Sequence, residues 1–430
     1  MTKVFIAEQE TLLEVQKQVD KLTNNLLPLD KPIYAMVIHE ASDLNPNSRV
    51  EYLGANKNFT PMSMNMSTHA MNYGSWADWS WLKANVPVMC NFDGGIDYYL
   101  NPNDYTKKAD GTDSDVSNVD YAGDAMSVIQ KIYKKEYKVG NDRYVFFCER
   151  KVDEDFKAVG FNVLGKERDY MLIPMFYGSI DANGKMRSIA GQWSCLTASG
   201  NASDNTTGTA IGTAEQYAAI QKASKNGLFF GGALVNTLAD ICVLLSKSTN
   251  SQAAFGYGMC STYVEDKAQH YGTQINTVVG GGQFYGSSDQ KSFNKIFHSC
   301  VMGSYMLWQR DPYMLLKNGR ILVSPDYTYD LTGATYLDTG VDLAANGYYA
   351  TTRVIEDFGS VPTDELVCSS ATGYCDHTWV NATILAVSLR FGSCADGLHA
   401  GLFARTLNNV AANAWWGYAA SKLLPAPAAA

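Results

Sequence analysis

Apolar and polar positions change rhythm three times along this chain of 430 residues. Between residues 5 and 27, Leu12, Val15, Val19, Leu22 and Leu26 recur at intervals of three, four, three and four. That spacing predicts a helix with a narrow apolar stripe, flanked by Glu14, Lys17, Gln18 and Lys21 and ended by Pro28. A helix this short is marginal alone in water, so it either packs on its own body or joins copies from other subunits. The unbroken polar flanks and the two-position stripe favour self-association. Residues 1–28 therefore read as a short coiled-coil oligomerisation helix.

The next rhythm is that of strands. Ile33 to Ile38 and Arg143 to Phe147 are rich in branched and aromatic residues, and residues 29–148 read as a β-rich domain. Within it Trp76, Trp79 and Trp81 stand close together, either as a sugar platform or, more simply, as a packed corner. Residues 101–115 are rich in acids and turn formers. They lack the terminal Glu of an EF-hand loop and read as an exposed loop.

The third pattern, over residues 149–430, mixes both periods. A strand at 169–178, a turn at 181–184, a Lys-Met-Arg-Ser segment at 185–188 and a loop at 200–208 precede helices at 214–222 and 229–247. The stretch Leu228 to Leu245 is the most apolar of all. It contains Asn236 and Asp240, which make it too polar and too short to cross a bilayer. A Lys-Ser-Thr segment, a glycine-rich loop near Gly256 and short strands at 320–323 and 348–351 follow. From Gly373 to Ser421 large apolar residues alternate with small and polar ones without helical spacing, as in short strands and ordered loops. The fold class read from these patterns is α+β.

Composition narrows the function classes. Apolar content of 46% with 18% charged residues describes an ordered globular chain. A net charge of −9 argues against nucleic acid as a partner. The nine cysteines are odd in number and show no metal spacing, so most read as buried free thiols of a protein made in a reducing cytoplasm. Cys368 and Cys375 are close enough in sequence for pairing to be considered. No signal peptide is apparent at the N-terminus and no membrane insertion is expected. The six histidines have no metal-ligand spacing, and nucleophile-elbow, Walker and His-Glu-x-x-His motifs are absent. No enzyme, cofactor or metal is expected.

The terminal segment 370–421 carries a resemblance. Its Tyr374-Cys375-Asp376-His377, Arg390-Phe391-Gly392-Ser393, Gly401-Leu402-Phe403 and Leu407-Asn408-Asn409 runs resemble the variable region of phage receptor-binding proteins with a C-type lectin fold. The order of elements over 170–260 is similar to the sulfatase-modifying-factor-like branch of that fold. Cys375 and Cys394 do not match the cysteine motif of the enzymes in that branch, so no activity is carried over. In the resembling phage proteins a diversity-generating retroelement rewrites adenines in Asn codons, which never yields Met, Lys, Gln, Glu or Trp. Between Leu366 and Ser421 there is no Met, Lys, Gln or Glu, where the chain's overall content of 65 such residues predicts about 8. Burial is the competing explanation, because long polar side chains are rarely interior.

The resemblance implies a virion protein of the phage tail tip or fibre, synthesised in the host cytoplasm. Its partners would be a host cell-surface protein or glycan and other tail proteins, and a homotrimer is what similar fibres suggest. The implied exposed ligand-binding set is Tyr374, Asp376, His377, Asn381, Ile384, Phe391, Ala395, Asp396, Leu398, His399 and Tyr418. Trp379, Gly401, Trp415 and Trp416 would be scaffold, with Leu389, Leu402, Phe403 and both terminal tryptophans packed in a core. A non-diversified baseplate or decoration protein of the same fold is the alternative, and a bacterial adhesin is a third reading.

Overall fold

The computed structural model describes residues 31–40, 44–192, 211–260, 282–344, 347–349, 351–363, 369, 371, 373–415 and 417–427. The helix expected over 1–28, the loop at 200–208, Cys368 and Trp416 lie outside the described residues.

Strands β1 (Tyr34–His39), β2 (Val50–Gly54), β3 (Pro87–Asn91), β4 (Ile96–Asn101), β5 (Asp104–Lys108), β6 (Gly123–Gln130), β7 (Tyr133–Val139), β8 (Asp142–Cys148) and β9 (Tyr170–Pro174) come first. Helix α1 (Thr213–Ala223), strand β10 (Leu228–Phe229) and helix α2 (Gly232–Ser246) follow. The remainder is nearly all strand: β11 (Trp308–Lys317), β12 (Arg320–Val323), β13 (Leu337–Asp342), β14 (Tyr348–Tyr349), β15 (Thr351–Ile355), β16 (Gly359–Thr363), β17 (His377–Val380), β18 (Leu385–Arg390), β19 (Arg405–Leu407), β20 (Tyr418–Ala419) and β21 (Lys422–Pro425). Strands hold 37% of the described residues and helices 14%, a β-rich α+β fold.

The two strands most legible from sequence, β1 and β8, pair antiparallel with Tyr34 opposite Phe147 and His39 opposite Asp142. They are the centre of a four-stranded sheet ordered β2-β1-β8-β7. Alternation sends Met36 and Ile38 into the main core and Ala35 and Val37 into a smaller cluster on the opposite face. The tryptophans form a packed corner: Trp76, Trp79 and Trp81 are all buried, and the indole of Trp81 donates to the Gln130 carbonyl at 2.7 Å. Residues 101–115 form the surface turn after β4, strand β5 and a second turn in which Asp110 accepts from Thr112.

A second sheet runs β10-β21-β9-β6-β3-β4-β5. It corrects the domain boundary expected at 148/149. Strand β9 pairs with β6 across that boundary, and β21, at the far end of the chain, pairs with β9. The edge of β6 needs backbone partners, and which strand supplies them is a long-range choice that local composition does not encode. One main core cluster accordingly draws residues from Met36 through Leu423.

The third sheet, ordered β13-β12-β11-β18-β19-β17-β14 with β20 beside β11, contains most of the terminal segment. Helix α2 lies beneath it, buried along nearly its whole length. Asn236 and Asp240, one turn apart on α2, share a side of the helix where the first and third sheets converge. Asp240 accepts from Arg143 of β8 at 2.6 and 2.8 Å and from Lys134 of β7 at 2.7 Å. Burial works against the Asp240 charge, but those two cations more than offset it and hold the carboxyl below its usual range.

Candidate functional site: two faces of the terminal sheet

Register divides the third sheet into two faces. Directly opposed residues share a face, so Gln309, Arg390, Arg405 and Thr378 look one way and Arg310, Leu389, Thr406 and Trp379 the other.

The inner face meets α2 through a buried polar lattice. Arg390 Nε donates to Asp311 Oδ2, and its two Nη groups reach the Gly232 carbonyl at 3.1 Å and Asn236 Oδ1 at 3.0 Å. Arg405 Nη2 donates to the same Asn236 oxygen at 2.7 Å. The other Asp311 oxygen accepts from the Gly232 amide at 2.8 Å, so one carboxylate joins β11, β18 and the start of α2. Gly231 has no room for a side chain beside that carboxylate. Gly231 is extended, with φ −174° and ψ −154°, and the helix starts at Gly232, three residues later than its apolar pattern suggested.

Three members of the expected exposed set belong to this interior, and the structure corrects them. Tyr374 is 3% exposed; its hydroxyl donates to Glu40 at 2.7 Å and accepts from Arg143 at 3.1 Å. Asp376 is 4% exposed and accepts from the Phe403 amide at 2.8 Å, and burial pushes its carboxyl well up. Phe391 is fully buried. Strand alternation alone would place it outward, two residues after Leu389. Its left-handed backbone, φ 76°, turns the ring inward toward Phe230 instead. The packing of Gly401 is equally tight, because a Cβ there would overlap both carboxylate oxygens of Asp376.

The outer face carries most of the remaining positions. Tyr349 stands opposite His377 across β14 and β17. The His377 ring lies 4.3 Å from that of Trp379 and 5.2 Å from that of His399, while the Tyr349 hydroxyl and His399 Nδ1 are 2.9 Å apart. Beneath them Trp308, Leu389 and Ala404 form a small apolar floor against which Trp379 and Tyr418 both pack. Tyr418, opposite Trp308, hydrogen-bonds Asn409 Oδ1 at 2.6 Å and meets Trp415 at 5.1 Å. Trp415 itself is 36% exposed, a surface ring and not the core residue expected, because it lies in a loop before β20 that no described strand covers. Phe403, also expected in the core, is half-buried against Tyr374, whereas Leu389 and Leu402 are buried as expected.

At one end of this band the loop 393–399 exposes Ala395, Leu398 and His399. Asp396 in the same loop is half-buried, its Oδ2 accepting from the Ser393 amide at 2.6 Å and hydroxyl at 2.7 Å, and burial raises its carboxyl. Asn381, half-buried in the turn between β17 and β18, lies at the other, whereas Ile384 in the same turn packs against the main core and not in the band expected of it. His377 is held at a pKa of about 4, first by burial and then by the neighbouring His399. Its Nδ1 has no hydrogen-bond partner among the described residues.

The structure thus brings His377, His399, Ala395, Leu398, Asp396, Asn381 and Tyr418 to one side of the sheet with Trp379, and separates Tyr374, Asp376, Phe391 and Ile384 from them. Sequence reasoning missed Tyr349, which reaches the band only through strand pairing from outside the terminal segment. It also missed the lattice. Its signal was present in Asn236 inside an apolar helix, a polar residue that burial permits only with partners, whereas Asp311, following Gln309 and Arg310, gave none.

The seven described cysteines are all buried. Among the described residues no helix is long and apolar enough to cross a membrane, and no group of three or more His, Cys, Asp or Glu side chains converges on a metal geometry. No protein-family model matches the chain, and no curated protein matches it.

Proposed function

We propose that this chain is a phage virion protein of the tail tip or fibre that binds a host-surface ligand through the outer face of its terminal sheet. In this reading the domain is of C-type lectin type, a diversity-generating retroelement rewrites the outward positions, and the N-terminal helix joins three copies. The observation that carries the reading is the division of labour within single strands. In β17 and in the loop after β18, outward side chains such as His377 and His399 alternate with residues bound into the interior. A backbone pinned by Asp376, Arg390 and Arg405 lets outward side chains change without moving the loops that present them. Rings held by packing and short amides lose little entropy on binding, as in antibody paratopes. With three copies, weak single contacts add by avidity where ligand spacing allows.

The test is deep sequencing of the codons for residues 366–421 across a growing population. The reading expects substitutions at His377, Asn381, Ala395, Leu398, His399 and Tyr418. It expects none at Tyr374, Asp376, Phe391, Trp379 or Gly401. A uniform segment removes diversification and leaves a fixed baseplate or decoration protein. Substitutions spread evenly over buried and outward codons would overturn the division of labour itself.

A further inference from the structure

Charge is distributed unequally between the two faces, and the inequality bears on ligand chemistry. Residues 366–421 contain only four formally charged side chains: Asp376, Arg390, Asp396 and Arg405. Three are buried in the interior lattice, and the fourth turns its carboxylate onto Ser393. Arg310, on the outer face by register and 5.5 Å from the Tyr418 ring, is 1% exposed and donates to Thr213 Oγ1 and the Asn413 carbonyl, so the exposed band presents imidazole, indole, phenol and carboxamide groups: His377, His399, Trp379, Tyr418, Asn408 and Asn413. Burial keeps His377 uncharged at neutral pH.

We infer that this band takes a neutral saccharide, a deduction that rests on the binding role proposed above. First, an anionic polymer would meet no free cation in the terminal segment and a protein of net charge −9. Second, phenol and carboxamide groups both donate and accept hydrogen bonds, as sugar hydroxyls do, so either orientation of a hydroxyl finds a partner. Third, the ring array is narrow and half-buried, and among the described residues its large exposed apolar side chains are Leu398 and Trp415. That suits one or two sugar rings stacked by their C–H faces better than the roughly 800 Å² per partner of a standard protein interface. Trp379, seated on Trp308 and flanked by His377, is the stacking surface, with His399 and the amides at its rim.

The experiment applies the full chain to immobilised galactose-, mannose- and N-acetylglucosamine-terminated oligosaccharides and to sialylated and sulfated counterparts. Salt is varied from about 0.01 M to about 0.15 M, which shortens the screening length from ~30 Å to ~8 Å. Binding to at least one neutral oligosaccharide, changing less than about twofold with salt and falling roughly tenfold or more in H399A, is expected. Preference for the anionic glycans, a steep loss with salt, or no binding to the neutral panel overturns the inference. A parallel arm uses bacterial cells treated with periodate, which destroys glycans, or with protease. Binding that survives periodate, vanishes with protease and requires His399 overturns the saccharide while the receptor-binding role stands. Cell binding indifferent to H399A, or absent altogether, overturns that role as well.

Discussion

The two faces of the terminal sheet are made from the same strands yet solve opposite problems. On the inner face Arg390, Arg405, Asp311 and Asn236 are desolvated together and satisfied by one another. On the outer face His377, Trp379, His399 and Tyr418 sit at the water boundary around a small apolar floor. A buried charge tolerates no loss of its partner, whereas a half-exposed ring can be exchanged with little effect on folding. The comparison teaches where sequence change is affordable.

The largest effect is expected from removing the carboxylate that joins β11, β18 and α2. Asp311→Ala leaves Arg390 buried without its counter-ion and is expected to cost about 3–5 kcal/mol in chemical denaturation. A loss below about 1 kcal/mol would mean that the inner lattice is not what holds the sheet on the helix. Next is Gly401→Ala, which forces a methyl group against the Asp376 carboxylate. Overpacking here is expected to cost about 2–3 kcal/mol, read as a lowered unfolding midpoint. Tyr374→Phe removes the hydroxyl shared by Glu40 and Arg143 and should cost about 1–2 kcal/mol. A neutral result there would return Tyr374 to the exchangeable set.

Smaller and confined to the outer face is a pH effect. The His377 pKa falls from 6.5 unfolded to about 4 folded, so the unfolded state binds more protons between those values. The contribution is whole above about pH 6.5 and is lost as pH falls toward 4. Because the ring is only half-buried, about 1 kcal/mol is expected, and His377→Phe should remove that part of the acid sensitivity. The smallest effects belong to the exposed rim: Leu398→Ser and His399→Ala should change stability by no more than about 0.5 kcal/mol while altering ligand binding. A large stability loss at either position would break the contrast between the faces.

How much was legible beforehand differs by element. β1 and β8 were readable because branched and aromatic residues cluster there, and both form strands with many buried residues. The tryptophan corner was readable as packing because three large rings in a short span are hard to leave in water. Phe391 was not readable: its direction depends on a left-handed backbone at one residue, and reachable-codon reasoning carries no information about φ. Tyr374 and Asp376 were misread for a related reason. A short polar or phenolic residue in a terminal loop reads as surface until a distant acceptor such as Glu40, or a distant donor such as the Phe403 amide, is known.

By itself the sequence determined the β-rich α+β class, the position of the long buried helix and the scarcity of charge in the last segment. These follow from local pattern and composition, which act through burial propensity and need no knowledge of partners. Tertiary structure decided which strands share a sheet, that the sheets cross residue 148, and which side of each terminal strand meets water. Those outcomes depend on long-range backbone pairing and on where a buried charge finds its counter-ion, and a one-residue change of register would exchange every inner side chain for an outer one.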